Sequence, residues 1–238
     1  MLVAIHQPNF LPWLGWFDKL ARAEIFILLD TVAHQHTGSN YTNRVRILAQ
    51  GEPRWITVPV VRGTVERSRI DRLRIAGDEL WRRKLRATIA QSYAHAPFFS
   101  ETMKLVDHLL DAGGDRLCEM NIRSIAAIAE LLALPCRHML RASTLTAAGS
   151  GTDLLVALVR AVGGDAYLMG GGAAEYQQDA KFAAAGIALY RQEYRNPTYP
   201  QPGGNGFVAG LSAIDALMNC GPDAALLVGR PTAVVQAG

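Results

Sequence analysis

The chain has 238 residues, 24 Lys+Arg against 21 Asp+Glu, and half of its residues are apolar. A chain this apolar and only 19% charged offsets its own ordering entropy, which excludes disorder, and its length fits one globular domain. A net charge of +3 excludes a default electrostatic nucleic-acid binder while leaving room for an anionic ligand.

Leu2 to Ile5 is a short apolar run that stops at His6-Gln7-Pro8-Asn9, the pattern of a buried strand ending in a loop. Leu11 to Ala23 reads as a helix with Leu11, Leu14, Phe17 and Leu20 on one face and Pro12 in its first turn. Glu24 leads into Ile25 to Leu29, a second buried strand ending at Asp30. Two fully apolar strands around one helix predict a right-handed βαβ unit and a parallel sheet. Thr31 to Asn43 is polar and aperiodic, a long loop at a strand's carboxyl end, where α/β proteins carry function.

Arg44 to Leu48, Arg54 to Val61 and Ser68 to Ile75 are expected to be strands. Residues 78–93 form an amphipathic helix with an Asp cap, and 99–112 and 115–133 continue with helical periodicity. Cys136 to Ala142 is a strand candidate, Gly151 to Val162 a helix, Ala166 to Met169 and Ile187 to Tyr190 strands. Asn196 to Gly206 is turn-rich, Leu211 to Met218 opens a final helix, and the chain from Gly229 reads as a weakly ordered tail. The expectation is an α/β fold: a Rossmann-like, mainly parallel sheet begun in the N-terminal half, with the helical segment 78–134 packed on it, in one domain over 1–228.

Apolar runs such as Ile122 to Pro135 are interrupted by Arg123, Ser124 and Glu130 and do not reach the length of a membrane span. Three widely spaced cysteines, with no basic and apolar leader at the start, suggest a reduced, cytoplasmic protein.

The densest chemical signal is the opening. Two of the four tryptophans and two of the seven phenylalanines fall between Phe10 and Phe17. His6, Gln7 and Asn9 offer an imidazole and two amides at a strand's carboxyl end, ahead of a helix N-terminus, with Trp13 beside them. The alternative is that these groups satisfy strand-end backbone while the tryptophans pack in the core. If the first two strands are neighbours, Asp30 lies near His6 and can orient it as a general base. Arg44, with Asn43 beside it, suits a carboxylate or phosphate, or else is a solvated strand-start arginine.

His34-Gln35-His36 invites a metal reading with His6 and Asp30, but surface histidines are commoner and zinc-type cysteine spacing is absent. Neither a metal nor a cofactor is assigned. Gly149 to Asp153 lacks the P-loop Lys-Ser/Thr and is explained as well by Ser150 or Thr152 capping a helix. Gly170-Gly171-Gly172 with Glu175-Tyr176 follows a strand and permits close approach of a ligand, or is a tight connection. Tyr199 and Gln201 lie in a proline-stiffened loop placed to cover a pocket. Asp215 is a minor candidate, and Cys220 is better read as a small buried residue than as a nucleophile.

Several separated motifs resemble the WbqC-like protein family in its order: HQPNFLPWLGWFDKL, IFILLD, Asn43-Arg44, WITVPV, Trp81 followed by Tyr93 and Ala96-Pro97-Phe98-Phe99, GTDLLVALVRAVGGDAYLMGGGAAEY, NPTYPQ and GLSAIDALMNCG. The resemblance runs through nearly the whole chain. It implies a transferase from a surface-polysaccharide or natural-product gene cluster, including transfer of an aminoacyl group such as glycine to an amino sugar. Where the family reads Asp-(Asp)-Val-Gln-aromatic, this chain reads Asp30-Thr31-Val32-Ala33-His34, so His34 or Gln35 stands in for the missing Gln.

Three functions follow. The first is an acyl or aminoacyl transferase acting on an amine, with His6 as base and a small-molecule substrate whose donor is carrier-protein-bound or nucleotide-linked. The second is a nucleotide-dependent ligase or nucleotidylyltransferase-like enzyme, against which the His-x-Gly-His of that superfamily is replaced by Pro12-Trp13-Leu14-Gly15-Trp16. The third is a non-catalytic ligand or carrier-protein binding module.

Overall fold

A computed structural model describes residues 1–34, 40–61, 69–134, 138–171, 178–202 and 206–229, and the backbone of Val235 and Gln236. Strand β1 (Leu2–His6) pairs in parallel with β2 (Ile25–Leu28), Val3 opposite Ile25 and His6 opposite Leu28, and helix α1 (Leu14–Arg22) makes the crossover. This is the βαβ unit the two apolar runs predict.

The chain then leaves the sheet. β3 (Arg44–Ala49) and β4 (Glu52–Thr57) form an antiparallel hairpin closed by Gln50 and Gly51, both at positive φ (55° and 77°). Two left-handed residues in succession match the twist of the flanking strands, which is why glycine stands second in the turn. The third strand expected here, Ser68 to Ile75, is instead a 3-10 turn at Ile70–Arg72 flanked by isolated bridges, Arg69 to Ala33, Arg74 to Arg116 and Ile75 to Val60; Ser68 lies outside the described residues. Ile70 and Leu73 are both buried, so the spacing that looked like imperfect alternation is the three-residue period of that turn.

Helices α2 (Leu80–Tyr93), α3 (Phe99–Asp111) and α4 (Leu117–Leu131) make up the helical middle, and Asp78 Oδ1 accepts from Leu80 N at the start of α2. The chain returns to the sheet with β5 (Met139–Arg141), α5 (Gly151–Ala161), β6 (Ala166–Met169), α6 (Asp179–Ala184) and β7 (Ala188–Arg191). Helix α7 (Ala213–Cys220) follows, and within the segment read as a tail Val235–Gln236 add a short β8 antiparallel to β7.

The sheet order is β5-β2-β1-β6-β7-β8, with all pairs parallel except the last. Two strands come from the N-terminal half and four from the C-terminal half. With the β3–β4 hairpin set aside, this is the doubly wound Rossmann-like order, and its direction reverses between β1 and β6. Alternation along the strands sorts the core into two layers. Ala4, Phe26, Leu28 and Leu168 face α1, α7 and the inserted helices, while Val3, Ile5, Ile27, Tyr167 and Met169 lie in a second cluster with Phe182 of α6 and Leu158 and Val159 of α5. Among the described residues no helix is long and apolar enough to cross a membrane.

Candidate functional site

The loop from Gln7 to Trp13 joins β1 to α1 at the carboxyl edge of the sheet and is held by distant parts of the chain. Phe10 N donates to Tyr41 O at 3.0 Å, and Asn121 Nδ2 donates to both Pro8 O (2.8 Å) and Thr42 O (2.7 Å). Ser212, the N-cap of α7, donates its Oγ to Leu11 O at 2.7 Å, and Ala213 N reaches Pro12 O at 2.8 Å. These contacts hold Leu11 at φ 41°, a left-handed conformation rare for a side chain of this type. Helix α1 itself lies tight against Tyr194. A Cβ on Gly15 would fall 2.7 Å from that ring.

Several of the predicted polar residues form one network. Thr42 Oγ1 donates to Gln7 Oε1 at 3.3 Å, and Thr42 N donates to Asn40 Oδ1 at 2.8 Å. Asn40 Nδ2 donates to Asn43 Oδ1 at 3.0 Å and lies 3.4 Å from His34 Nε2. Asn43 Nδ2 donates to Val58 O, and Arg44 Nε to Asn40 O. Gln7, His34, Asn43 and Arg44 are thus brought together through Asn40 and Thr42, two residues that sequence reasoning passed over. Asn9 is buried in the loop beside them. Gln35 lies outside the described residues.

His6 is half-buried at the end of β1, with its Nδ1 3.2 Å from Gln7 O and its ring edge-on to Trp13 and Trp16. A carbonyl only accepts, so Nδ1 carries the proton and Nε2 is left as the acceptor. Burial, reinforced by the charge of Lys19, pulls this imidazole down to about 3, so it is neutral at physiological pH.

Asp30 does not orient His6. Its Oδ1 accepts from Ser143 N at 2.9 Å, and its Oδ2 from Ser143 Oγ at 2.7 Å and Arg141 Nε at 2.9 Å. The expected carboxylate–imidazole pair is therefore replaced by an ion pair across β2 and β5, because parallel pairing puts Leu28 opposite Arg141. Arg141 also holds Glu119 at 2.7 Å and lies 3.7 Å from the Cys118 sulfur. Burial pushes the Cys118 thiol up to about 12 and that of Cys220 in the same direction, so both stay protonated and weakly nucleophilic. Among the described residues no group of three or more His, Cys, Asp or Glu side chains is placed to hold a metal.

Tyr199 and Gln201 converge on Asp215. Tyr199 Oη and Gln201 Nε2 donate to its Oδ2 at 2.7 and 2.8 Å, and Tyr93 Oη donates to its Oδ1 at 2.7 Å. The other end of Gln201 accepts from Val208 N, so the polar ends of both loop residues are engaged within the fold. Burial raises the pKa of Asp215 against the opposing effect of these three donors.

Two features appear only in three dimensions. The first is an aromatic run leading outward from His6: Trp13, Tyr41 at 5.0 Å and Trp55 at 5.4 Å from Tyr41. Trp55 is 43% exposed and carries the Arg44 guanidinium 4.5 Å above its ring. The second is Lys19. Its Nζ donates to Ile5 O at 2.8 Å, it is 2% exposed, and burial lowers its pKa to about 7. Continuing the β1–β6 register sets Gly170 level with His6, with Gly171 next in the chain; Tyr176 lies outside the described residues. In the sequence, Lys19 is marked only by its place among Trp16, Phe17 and Leu20, and Asn121 by its place four residues after Leu117 on the apolar stripe of α4.

His6 and Gly170 lie where the strand order reverses, at the strands' carboxyl edge that doubly wound folds use for ligands, while Asp30 is engaged at β5 and Tyr199 and Gln201 at Asp215. The chain is similar to the uncharacterized protein Rv1507c of Mycobacterium tuberculosis (strain ATCC 25618 / H37Rv), 30% identical over 225 residues that cover 93% of this chain and 95% of that one. No solved structure matches it. The WbqC-like protein family matches over residues 7–226, a span that holds the β1–α1 loop, the polar network around Asn40, β6 and α7, and the chain belongs to that family.

Proposed function

We propose that the protein is a biosynthetic transferase that forms an amide by moving an acyl or aminoacyl group onto an amine, in the synthesis of a surface polysaccharide or a small natural product. The observation that carries this reading is His6: a neutral imidazole with its donor nitrogen turned to Gln7 O, at the crevice between β1 and β6. Amide formation needs an amine that attacks as the free base and then sheds a proton. In the reaction the amine nitrogen bonds to the acyl carbonyl carbon, the bond to the donor's leaving group breaks, and the proton passes from nitrogen to His6 Nε2. So weakly basic an imidazole does not hold that proton but passes it on to the departing group, which leaves protonated and returns His6 to its neutral form. Arg44, seated on Trp55, supplies positive charge at the rim, with Asn43 beside it.

The test is transfer of a labelled glycyl or acetyl group from an activated thioester to an amino sugar, followed by mass spectrometry. His6→Ala is expected to lower the rate by at least about 100-fold, the usual contribution of a positioned proton acceptor. An unchanged rate in that variant overturns the assignment.

The strand order favours a second reading, a nucleotide-dependent ligase, since the β1/β6 reversal is where nucleotide-binding folds seat their ligand. Saturable ATP binding in calorimetry, with pyrophosphate released in the presence of a carboxylic acid and an amine, selects it. Absence of ATP binding removes it.

A further inference from the structure

Lys19 is an unusual charge. It lies on α1, a helix buried on all sides from Leu14 to Leu20, and is 2% exposed. An ammonium has three N–H donors, and among the described residues one acceptor, Ile5 O, is within hydrogen-bond reach. The acidic residue next to it is engaged elsewhere: Asp18 takes Arg22 in a two-point pair at 2.7 and 2.9 Å and also accepts from Gln192. A buried cation without a carboxylate partner costs several kcal/mol unless something compensates it.

The backbone opposite leaves room for such a compensating group. A Cβ placed on Gly170 would find one heavy atom within 4 Å among the described residues, Lys19 Nζ itself, at 3.8 Å; a Cβ on Gly171 would find none. Two side-chain-free residues thus follow β6 where the ammonium of α1 reaches the edge of β1, in the crevice where the sheet reverses. Among the described residues the other titratable groups around Lys19 add no compensating negative charge. His6 is neutral, and Tyr167, whose ring lies 5.8 Å from Nζ, is a phenol.

We propose that Lys19 and the Gly170-Gly171 backbone form an oxyanion subsite that takes a phosphate-type group of the donor at the β1/β6 crevice. A compact point charge next to close-approaching backbone is the arrangement that suits a phosphate oxygen. Binding would supply the negative partner that the ammonium lacks among the described residues and would restore its full charge. The assignment deepens the transferase reading and rests on it only for the word donor. Anion binding is measured without turnover, so the two fail separately: loss of transfer with intact anion binding strikes the transferase, and the reverse strikes the subsite.

The test is calorimetric titration of the full chain with pyrophosphate and, in parallel, malonate. Saturable pyrophosphate binding is expected, weakened about 10- to 100-fold in Lys19→Met, the range for losing a charged hydrogen bond. Lys19→Met keeps the stem in the core and removes the buried charge, so it is expected to fold. Gly170→Ala is the second variant. Its backbone is outside the left-handed region and, among the described residues, the new methyl meets Nζ alone, so it is expected to keep its melting temperature while weakening pyrophosphate. Lys19-dependent binding of malonate alone would assign the subsite to a carboxylate and overturn the phosphate. Absence of saturable binding of either anion, or binding undiminished in Lys19→Met, overturns the subsite.

Discussion

Asp30 and Arg141 meet at 2.9 Å across the carboxyl ends of β2 and β5, one fully buried and the other 30% exposed. Removing one member of a buried pair leaves the other uncompensated. Asp30→Ala is therefore expected to cost about 3 kcal/mol, the low end for such pairs because Arg141 keeps some solvent. Urea denaturation measures it, and Asp30→Asn, which still accepts from Ser143, is expected to lose less. A loss below about 1 kcal/mol would place the pair among solvent-screened ones.

Asn121 is a single amide holding two loops, Pro8 in one and Thr42 in the other. Asn121→Asp keeps the shape and removes both donors, leaving two carbonyls unmatched and a carboxylate against them. Stability is expected to fall by about 2 kcal/mol or more. Amide exchange at Phe10 and Thr42 should rise well beyond that of the β6 amides, and equal acceleration throughout would argue against a local clamp.

The pH dependence follows from two lowered values. Lys19 titrates near 7 in the folded chain and near 10.5 when unfolded. Between those values the unfolded chain binds more protons, so stability rises with pH, by at most about 1.4 kcal/mol per unit. His6 titrates near 3 folded and near 6.5 unfolded, so its contribution is present above 6.5 and is lost as pH falls toward 3. Stability measured from pH 7 to 10 should climb in the parent and flatten in Lys19→Met, which is also expected to be more stable at pH 7 and below. A parallel slope in the two proteins would remove Lys19 as the source.

Trp55 tests the outer end of the aromatic run. Exposed as it is, Trp55→Ala is expected to change stability by no more than about 0.5 kcal/mol. If the ring and Arg44 hold the acceptor, KM rises about tenfold while kcat holds, the signature of lost uniform binding. A fall in kcat at constant KM would move this pair to the reacting centre.

The sheet was largely legible because its strands are buried on both faces. Unbroken runs such as Val3-Ala4-Ile5 and Tyr167-Leu168-Met169 have few other uses in a chain of this size. Ile70, Leu73 and Ile75 misled because periods of two and three are hard to separate over six residues. In the site, Gln7, Asn43 and Arg44 could be read locally, each lying in the loop after a strand or at a strand start. The partner of Asp30 could not, since Arg141 reaches it through a strand pairing that spans the whole helical insert. Lys19 was hidden for a related reason. Its burial depends on the return of β6, and a lysine in a helix is ordinarily solvated.

That return has a consequence for biosynthesis of the protein itself. The crevice is bounded by β1 and β6, and the register pairs Val3 with Tyr167. Loop-closure entropy makes such a distant pairing one of the slowest to form, and a growing chain cannot attempt it until α5 and β6 have left the ribosome. Until then the N-terminal βαβ unit presents an unpaired edge on β1. If the crevice takes the proposed donor, that binding needs β6, and a fragment ending before Ala166 should bind nothing there however well its first two strands are formed.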